Sequence, residues 1–154
     1  MINQSPKHII CAVRGQPHSR ETATRAIDLA LEHNARLTFF LVLGAEFMAK
    51  AAPTMVPLNS VFRQLQDMGE FAMLILCDRA RRRGVEQVDY LIRTGDIPEQ
   101  VRQFAIEAQA EMMVLGRPKQ SAGKSVFAPD EFDCFVEELE RDANIRVVQV
   151  IHEE

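Results

Sequence analysis

The sequence predicts an α/β fold, a five-stranded parallel sheet with helices on both faces. Three observations carry this reading. Apolar periodicity alternates regularly between strand-like and helix-like along the chain, and most of the strand-like runs are apolar on both faces, as in sheets covered on both sides. Helix-length crossovers separate successive strands, which is the connection a parallel sheet requires. No change of composition marks a linker, and 154 residues are room for one domain at roughly 100 to 200 residues each, so 1–154 is read as a single domain.

The first strand is HIICAV (8–13). A helix follows in which Ala23, Ala26, Ile27 and Ala30 fall at i, i+3, i+4 and i+7, with Arg20, Glu21, Arg25 and Glu32 on the other side. RLTFFLVL (36–43) is the second strand. The second helix is long, its stripe running through Leu58, Val61, Phe62, Leu65, Met68, Ala72 and Ile75. Arg79, Arg81, Arg82 and Arg83 complement the negative end of its dipole, and Gly84 is suited to the left-handed residue after the last turn. VEQVDYLI (85–92) is the third strand. Asp96-Ile97-Pro98-Glu99 opens the third helix, with an N-cap, a proline at an early position and an acid three residues after the cap; Val101, Phe104, Ala105 and Ala108 form its buried face. EMMVL (111–115) is the fourth strand. The fourth helix begins near Pro129 and buries Phe132, Phe135, Val136, Leu139 and Ala143, before a last strand, IRVVQVI (145–151).

Composition excludes several classes of function. With 47% apolar and 26% charged residues the chain is neither disordered nor fibrous. A net charge of −4 argues against a surface devoted to nucleic acid or an anionic membrane. The apolar runs 39–45 and 71–77 are far short of the roughly 18 residues of a membrane span. Five apolar residues before Arg14 are too few for a secretory core, so a cytoplasmic location is expected. Cys11, Cys77 and Cys134 are odd in number, far apart and on apolar faces. They read as buried thiols rather than a disulfide frame or zinc site.

In doubly wound sheets, ligands bind beyond the C-terminal strand ends, where the strand order reverses. Function is therefore sought in 14–18, 43–57, 93–98 and 116–128. The stretches HIICAVRGQPHSRETATRAIDLA and LIRTGDIPEQVRQFAIEAQAEMMVLGRP, with the order and length of the elements, resemble the universal stress protein family over roughly residues 7 to 152. The resemblance implies strand order 3-2-1-4-5, a homodimer through the last strand, and, in many members, binding of ATP or AMP.

The departures from that family bear on function. ATP-binding members carry G-x2-G-x9-G-[ST] from the fourth strand into the fourth helix. Here Gly116 supplies the first glycine, but Lys119 takes the second position and Pro129-Asp130 replaces the Gly-Ser pair. A Cβ obstructs the approach of backbone amides to a polyphosphate, and Asp130, Glu131 and Asp133 place negative charge at the helix start, where they would repel one. The family's acid at the end of the first strand is Arg14, although Gly15 fits the pattern. ATP or AMP thus stays possible as a ligand on a degenerate motif, with no cofactor certain. Arg117, Lys119 and Lys124, with Arg14 and His18, suit a cationic pocket for phosphate, sulfate or carboxylate beside Gly15, Leu115 and Gly116; the other reading is a solvated loop. A Walker A reading of Gly123-Lys124-Ser125 fails at Pro118. Among the methionines, Met68, Met73, Met112 and Met113 read as core filler, whereas Met48 and Met55 lie where a ligand or partner would pack.

The function expected is a stress-response protein acting by binding rather than catalysis. It would hold a nucleotide or other anionic small molecule in a modified pose, or a protein partner. The alternative is an ATP- or AMP-binding enzyme with weak hydrolase activity, for which the sequence offers Asp96 but no phosphate cradle. A phosphoacceptor receiver is excluded by Arg14 and Arg93-Thr94, where it needs carboxylates.

Overall fold

Strands apolar on both faces build the sheet, in the order that the resemblance implies. The computed structural model describes residues 5–13, 19–44, 58–117 and 129–151. Its elements are β1 (His8–Val13), α1 (Ser19–His33), β2 (Arg36–Gly44), α2 (Leu58–Arg83), β3 (Val88–Gly95), α3 (Ile97–Ala108), β4 (Met112–Gly116), α4 (Pro129–Asp142) and β5 (Arg146–Val150). All neighbouring strands are parallel, in the order β3-β2-β1-β4-β5. The direction of travel along the sheet reverses between β2-β3 and β4-β5, so the switch point lies between β1 and β4.

Each strand serves two cores because successive side chains point to opposite faces. Ile9, Cys11, Leu37, Phe39, Leu41 and Val114 face α1 and α2, which contribute Ala23, Ala26, Ile27, Met73, Cys77 and Ala80. Ile10, Phe40, Met113 and Leu115 face α3 and α4, which contribute Val101, Ala105, Phe132, Phe135, Val136 and Leu139. Phe40 also stacks on Phe104 at 4.6 Å between ring centroids. The faces expected for α1, α3 and α4 are the faces found.

Three expectations are corrected. The third strand runs over Val88–Gly95 rather than 85–92, because Val85 finishes α2. Gly84 takes the left-handed conformation (φ 113°), the Gly84 amide donates to Arg81 O at 3.0 Å, and the Val85 amide donates to Ala80 O at 3.0 Å. Val85 is buried by that Schellman turn and not by strand pairing. The strand then continues through Arg93, Thr94 and Gly95, which pair with Val42, Leu43 and Gly44.

The buried line of α2 is also different. Gly69, Met73, Cys77 and Ala80 point inward, while Met68 and Ile75 are exposed. Three of those four inward residues are small, and small residues let the helix come close: a Cβ on Gly69 would lie 2.9 Å from Leu41 Cδ2. Met73 is therefore core filler and Met68 is not. The third correction is Cys134, which is exposed; Cys11 and Cys77 are buried as expected. Burial pushes the thiol pKa of both up, the Cys11 thiol furthest.

The arginines at the end of α2 do more than complement a dipole. The Arg79 guanidinium donates to Thr24 Oγ1, and Arg83 pairs with Asp28 at 2.8 Å, so the last turns of α2 are tied to α1. Arg82 pairs with Asp78 within α2 at 2.9 Å.

Candidate functional site

The described part of the switch point is the exit of β4 with the surfaces of α4 and β5 beside it. Arg14, Gly15, His18, Lys119 and Lys124 lie outside the described residues, as do Met48 and Met55. Leu115, Gly116 and Arg117 are described. Leu115 pairs with Ala12 of β1 on one side and Gln149 of β5 on the other. Its side chain is buried in the α3–α4 core, so only its backbone borders the site. Gly116 pairs with Val150, and the Arg117 amide donates to Val150 O at 2.9 Å, which carries the ladder one residue past the strand.

That ladder fixes where the Arg117 side chain emerges. Its Nη1 donates to Asp133 Oδ1 and to Gln149 Oε1, both at 2.8 Å, and its guanidinium lies over the Phe132 ring at 5.7 Å from the centroid. The Arg117 hydrogen bond holds the Asp133 carboxyl below the usual carboxylate range, and Asp133 in turn raises Arg117. Of the basic residues read as a cationic pocket, the described one is thus already paired with an acid from α4 and an amide from β5.

Asp133 and Gln149 are the residues that sequence reasoning missed as partners of this site. The acidic start of α4 was legible, but its contact with Arg117 depends on β5 lying beside β4 and α4 covering both. No local spacing encodes that.

The β3 side of the same sheet end is also occupied by its own residues. Asp96 is the N-cap of α3, its side chain accepting from the Glu99 amide at 3.2 Å, with proline in the first turn as the sequence predicts. Gly95 before it has φ 147°, and a Cβ there would sit 3.1 Å from Gln100 Nε2, so a side chain is strained at this position. Arg93 pairs with Glu107 at 2.5 Å and lies over Phe104 at 5.2 Å, which lowers the Glu107 pKa through the hydrogen bond. Among the described residues, no three of His, Cys, Asp and Glu are gathered closely enough to hold a metal ion, and no helix is long and apolar enough to cross a membrane.

Comparison with known proteins places this geometry. Curated protein sequences give no match. Solved structures do. A universal stress protein family member from Burkholderia pseudomallei is 19% identical, with 97% of this chain and 98% of that one covered and a TM-score of 0.69. A universal stress protein solved in complex with cAMP is 18% identical, covering 97% and 99%, with a TM-score of 0.67. One from Archaeoglobus fulgidus in complex with dAMP is 13% identical, covering 92% and 94%, with a TM-score of 0.55. These likenesses establish a shared fold. The family model described as "Universal stress protein family" matches residues 6–129. The chain belongs to the universal stress protein family.

Proposed function

We propose that this chain is a cytoplasmic stress-response protein that acts by binding and not by catalysis. Its ligand is an adenine nucleotide or another small anion held at the β1–β4 switch point in a pose altered from that of ATP-binding members. The observation that carries this is the Arg117–Asp133–Gln149 arrangement. The Asp133 carboxylate, in the second turn of α4 and close to where a polyphosphate would seek helix amides, has taken the charge of Arg117. A monophosphate or cyclic phosphate carries less charge to repel. The complexes of two structural neighbours with cAMP and dAMP agree in ligand class.

The hydrolase reading needs a base or metal-holding carboxylate near the phosphates. Asp96, the residue the sequence offers, is engaged as a helix cap, which weighs against it. A protein partner in place of a small ligand is the outcome if no small anion binds. The homodimer through β5 belongs to the same proposal, supported by the apolar, half-buried Val148 and Val150 on an edge strand and by Ile151 just beyond, 73% exposed.

A thermal-shift panel at low salt with ATP, AMP, cAMP, sulfate and citrate tests the proposal, with Arg14→Ala and Lys119→Ala as controls. At about a hundredfold excess over its dissociation constant a true ligand stabilises by about 2.7 kcal/mol. A shift with AMP or cAMP that exceeds the shift with ATP supports the altered pose. A shift with ATP alone, or ATP turnover abolished by Asp96→Asn, overturns it.

A further inference from the structure

The strand at the far end of the sheet from β5 is β3, and its outer edge is open among the described residues. The Leu37 amide donates to Gln87 O at 2.9 Å and Leu37 is in register with Val88, so Asp89, Leu91 and Arg93 turn their main-chain groups to β2. Val88, Tyr90, Ile92 and Thr94 turn theirs outward. The Val88 carbonyl accepts there from Arg81 of α2 at 3.4 Å, which leaves Tyr90 and Ile92 at the middle of the edge. The usual guards of an edge strand are missing: β3 pairs with β2 without a bulge from Val88 to Gly95 and contains neither proline nor lysine.

Two charges of opposite sign flank Leu91 at equal spacing, Asp89 before it and Arg93 after it. Both lie on the Leu91 side of the strand, which faces α3, whereas Val88, Tyr90 and Ile92 pack toward α2. Asp89 pairs with Arg36 at 2.5 Å and Arg93 with Glu107 at 2.5 Å, and none of the four is buried.

We propose that this edge is a self-association surface, and that its occupant is the β3 of a second copy lying antiparallel about a two-fold axis through Leu91. An axis perpendicular to the sheet carries each face into the same face, so residues opposite one another must share a face, and the charges choose among the registers left. Centred on Leu91, Asp89 faces Arg93 of the second copy on both sides of the axis. Centred on Asp89 or on Arg93, that residue faces itself; centred on Tyr90 or Ile92, neither charge meets the other. The Leu91 register also sets Tyr90 opposite Ile92 of the second copy, twice, and these exchange their outward main-chain hydrogen bonds without needing Val88. Asp89 and Arg93 then occupy non-hydrogen-bonded sites, where Cα atoms approach to about 4.5 Å and side chains are closest. A row of alternating sign results on the α3 face: Arg36 and Asp89 from one copy, Arg93 and Glu107 from the other. The next charges in this register, Glu86 and Asp96, lie outside the strand, and the Asp96 carboxylate is turned to the Glu99 amide. One strand edge buries less than the roughly 1,200–2,000 Å² of a stable standard interface, so association is weak and concentration-dependent. The surface is separate from β5 and from the β1–β4 switch point, and independent of the nucleotide proposal.

Sedimentation velocity on the full chain over a concentration series tests it, with wild type, Asp89→Lys, Arg93→Glu and an equimolar mixture of the two variants, each folded by circular dichroism. Either variant alone sets like charges opposite one another twice. The expected result is self-association weakened about tenfold in each variant and recovered in the mixture, where the introduced lysine faces the introduced glutamate and Arg93 of one chain faces Asp89 of the other. Two variants that had merely lost stability would not rescue each other. A further variant reads the axis: Leu91→Cys in a Cys134→Ser background cross-links to a dimer under mild oxidation, because a residue on the axis meets itself at disulfide distance, whereas Thr94→Cys in that background does not. Wild type and variants that associate alike, a mixture no heavier than its components, or a Leu91→Cys chain that stays uncross-linked overturns the proposal. None of these results bears on the thermal-shift panel.

Discussion

At the N-terminal edge of the sheet, one buried hydroxyl links three strands. Thr38 Oγ1 donates to Asp89 Oδ1 at 2.6 Å, and because that proton is used, its lone pair is left for His8 Nε2 at 2.8 Å. Asp89 also pairs with Arg36 at 2.5 Å. Thr38→Val removes the shared partner at little change of shape and is expected to cost about 1 kcal/mol in urea denaturation, since water can reach the half-exposed Asp89. His8 sits in this network with its pKa pulled below the usual 6.5, mainly by burial and then by Arg36, against the opposing effects of Asp89, Glu111 and the Ala108 backbone. The unfolded chain therefore takes up a proton on His8 at higher pH than the folded one. Stability is full above 6.5 and falls as pH drops from there toward the lower folded value. The slope of stability against pH in that window should be shallower in His8→Asn than in wild type. No local spacing marks His8, because its partners lie on other strands, 30 residues away for Thr38.

At the scale of elements, caps were legible because their signals are local. Asp96, Pro98 and Glu99 announce the start of α3, and Gly84 the end of α2; the structure places both as read. Asp96→Ala should cost about 1 kcal/mol by differential scanning calorimetry, the usual effect of losing an N-cap acceptor. The face of α2 was misread for a physical reason. Hydrophobicity alone favours the line through Met68 and Ile75, whereas packing favours the line whose small residues let the helix settle on β2. Gly69 is the key to that choice. Gly69→Ala should be nearly neutral, because a gain of about 1 kcal/mol in helix propensity offsets the contact with Leu41. Gly69→Leu should destabilise by about 1–3 kcal/mol, by forcing α2 off the sheet. A stabilised Gly69→Leu in the same urea series would refute this account of α2. The third strand was misplaced by three residues because an apolar residue in a helix cap, Val85, looks like one in a strand.

Across the whole molecule, periodicity and the resemblance together revealed the layered sheet and its order, since both faces of every strand and one face of each helix must be buried. What they did not reveal is that the two oppositely charged segments, each legible in the sequence, meet in the fold. The chain's mild net charge of −4 conceals an α4 of seven acids and one base beside a loop that opens with Arg117, and the fold turns that division into a contact. The same whole-molecule logic predicts a dimer through β5, so a monomer in sedimentation equilibrium at tens of micromolar would contradict that part of the proposal. In the proposed binding mode, Asp133 weakens ordinary ATP binding by claiming Arg117 and repelling the phosphates. Titration calorimetry of ATP into wild type and Asp133→Asn tests it most directly. Removing one unit charge a few Å from a phosphate is worth about 1 kcal/mol in water, so ATP should bind about fivefold more tightly to Asp133→Asn than to a weakly binding wild type. Tight ATP binding by the wild type, unchanged in Asp133→Asn, would contradict the account.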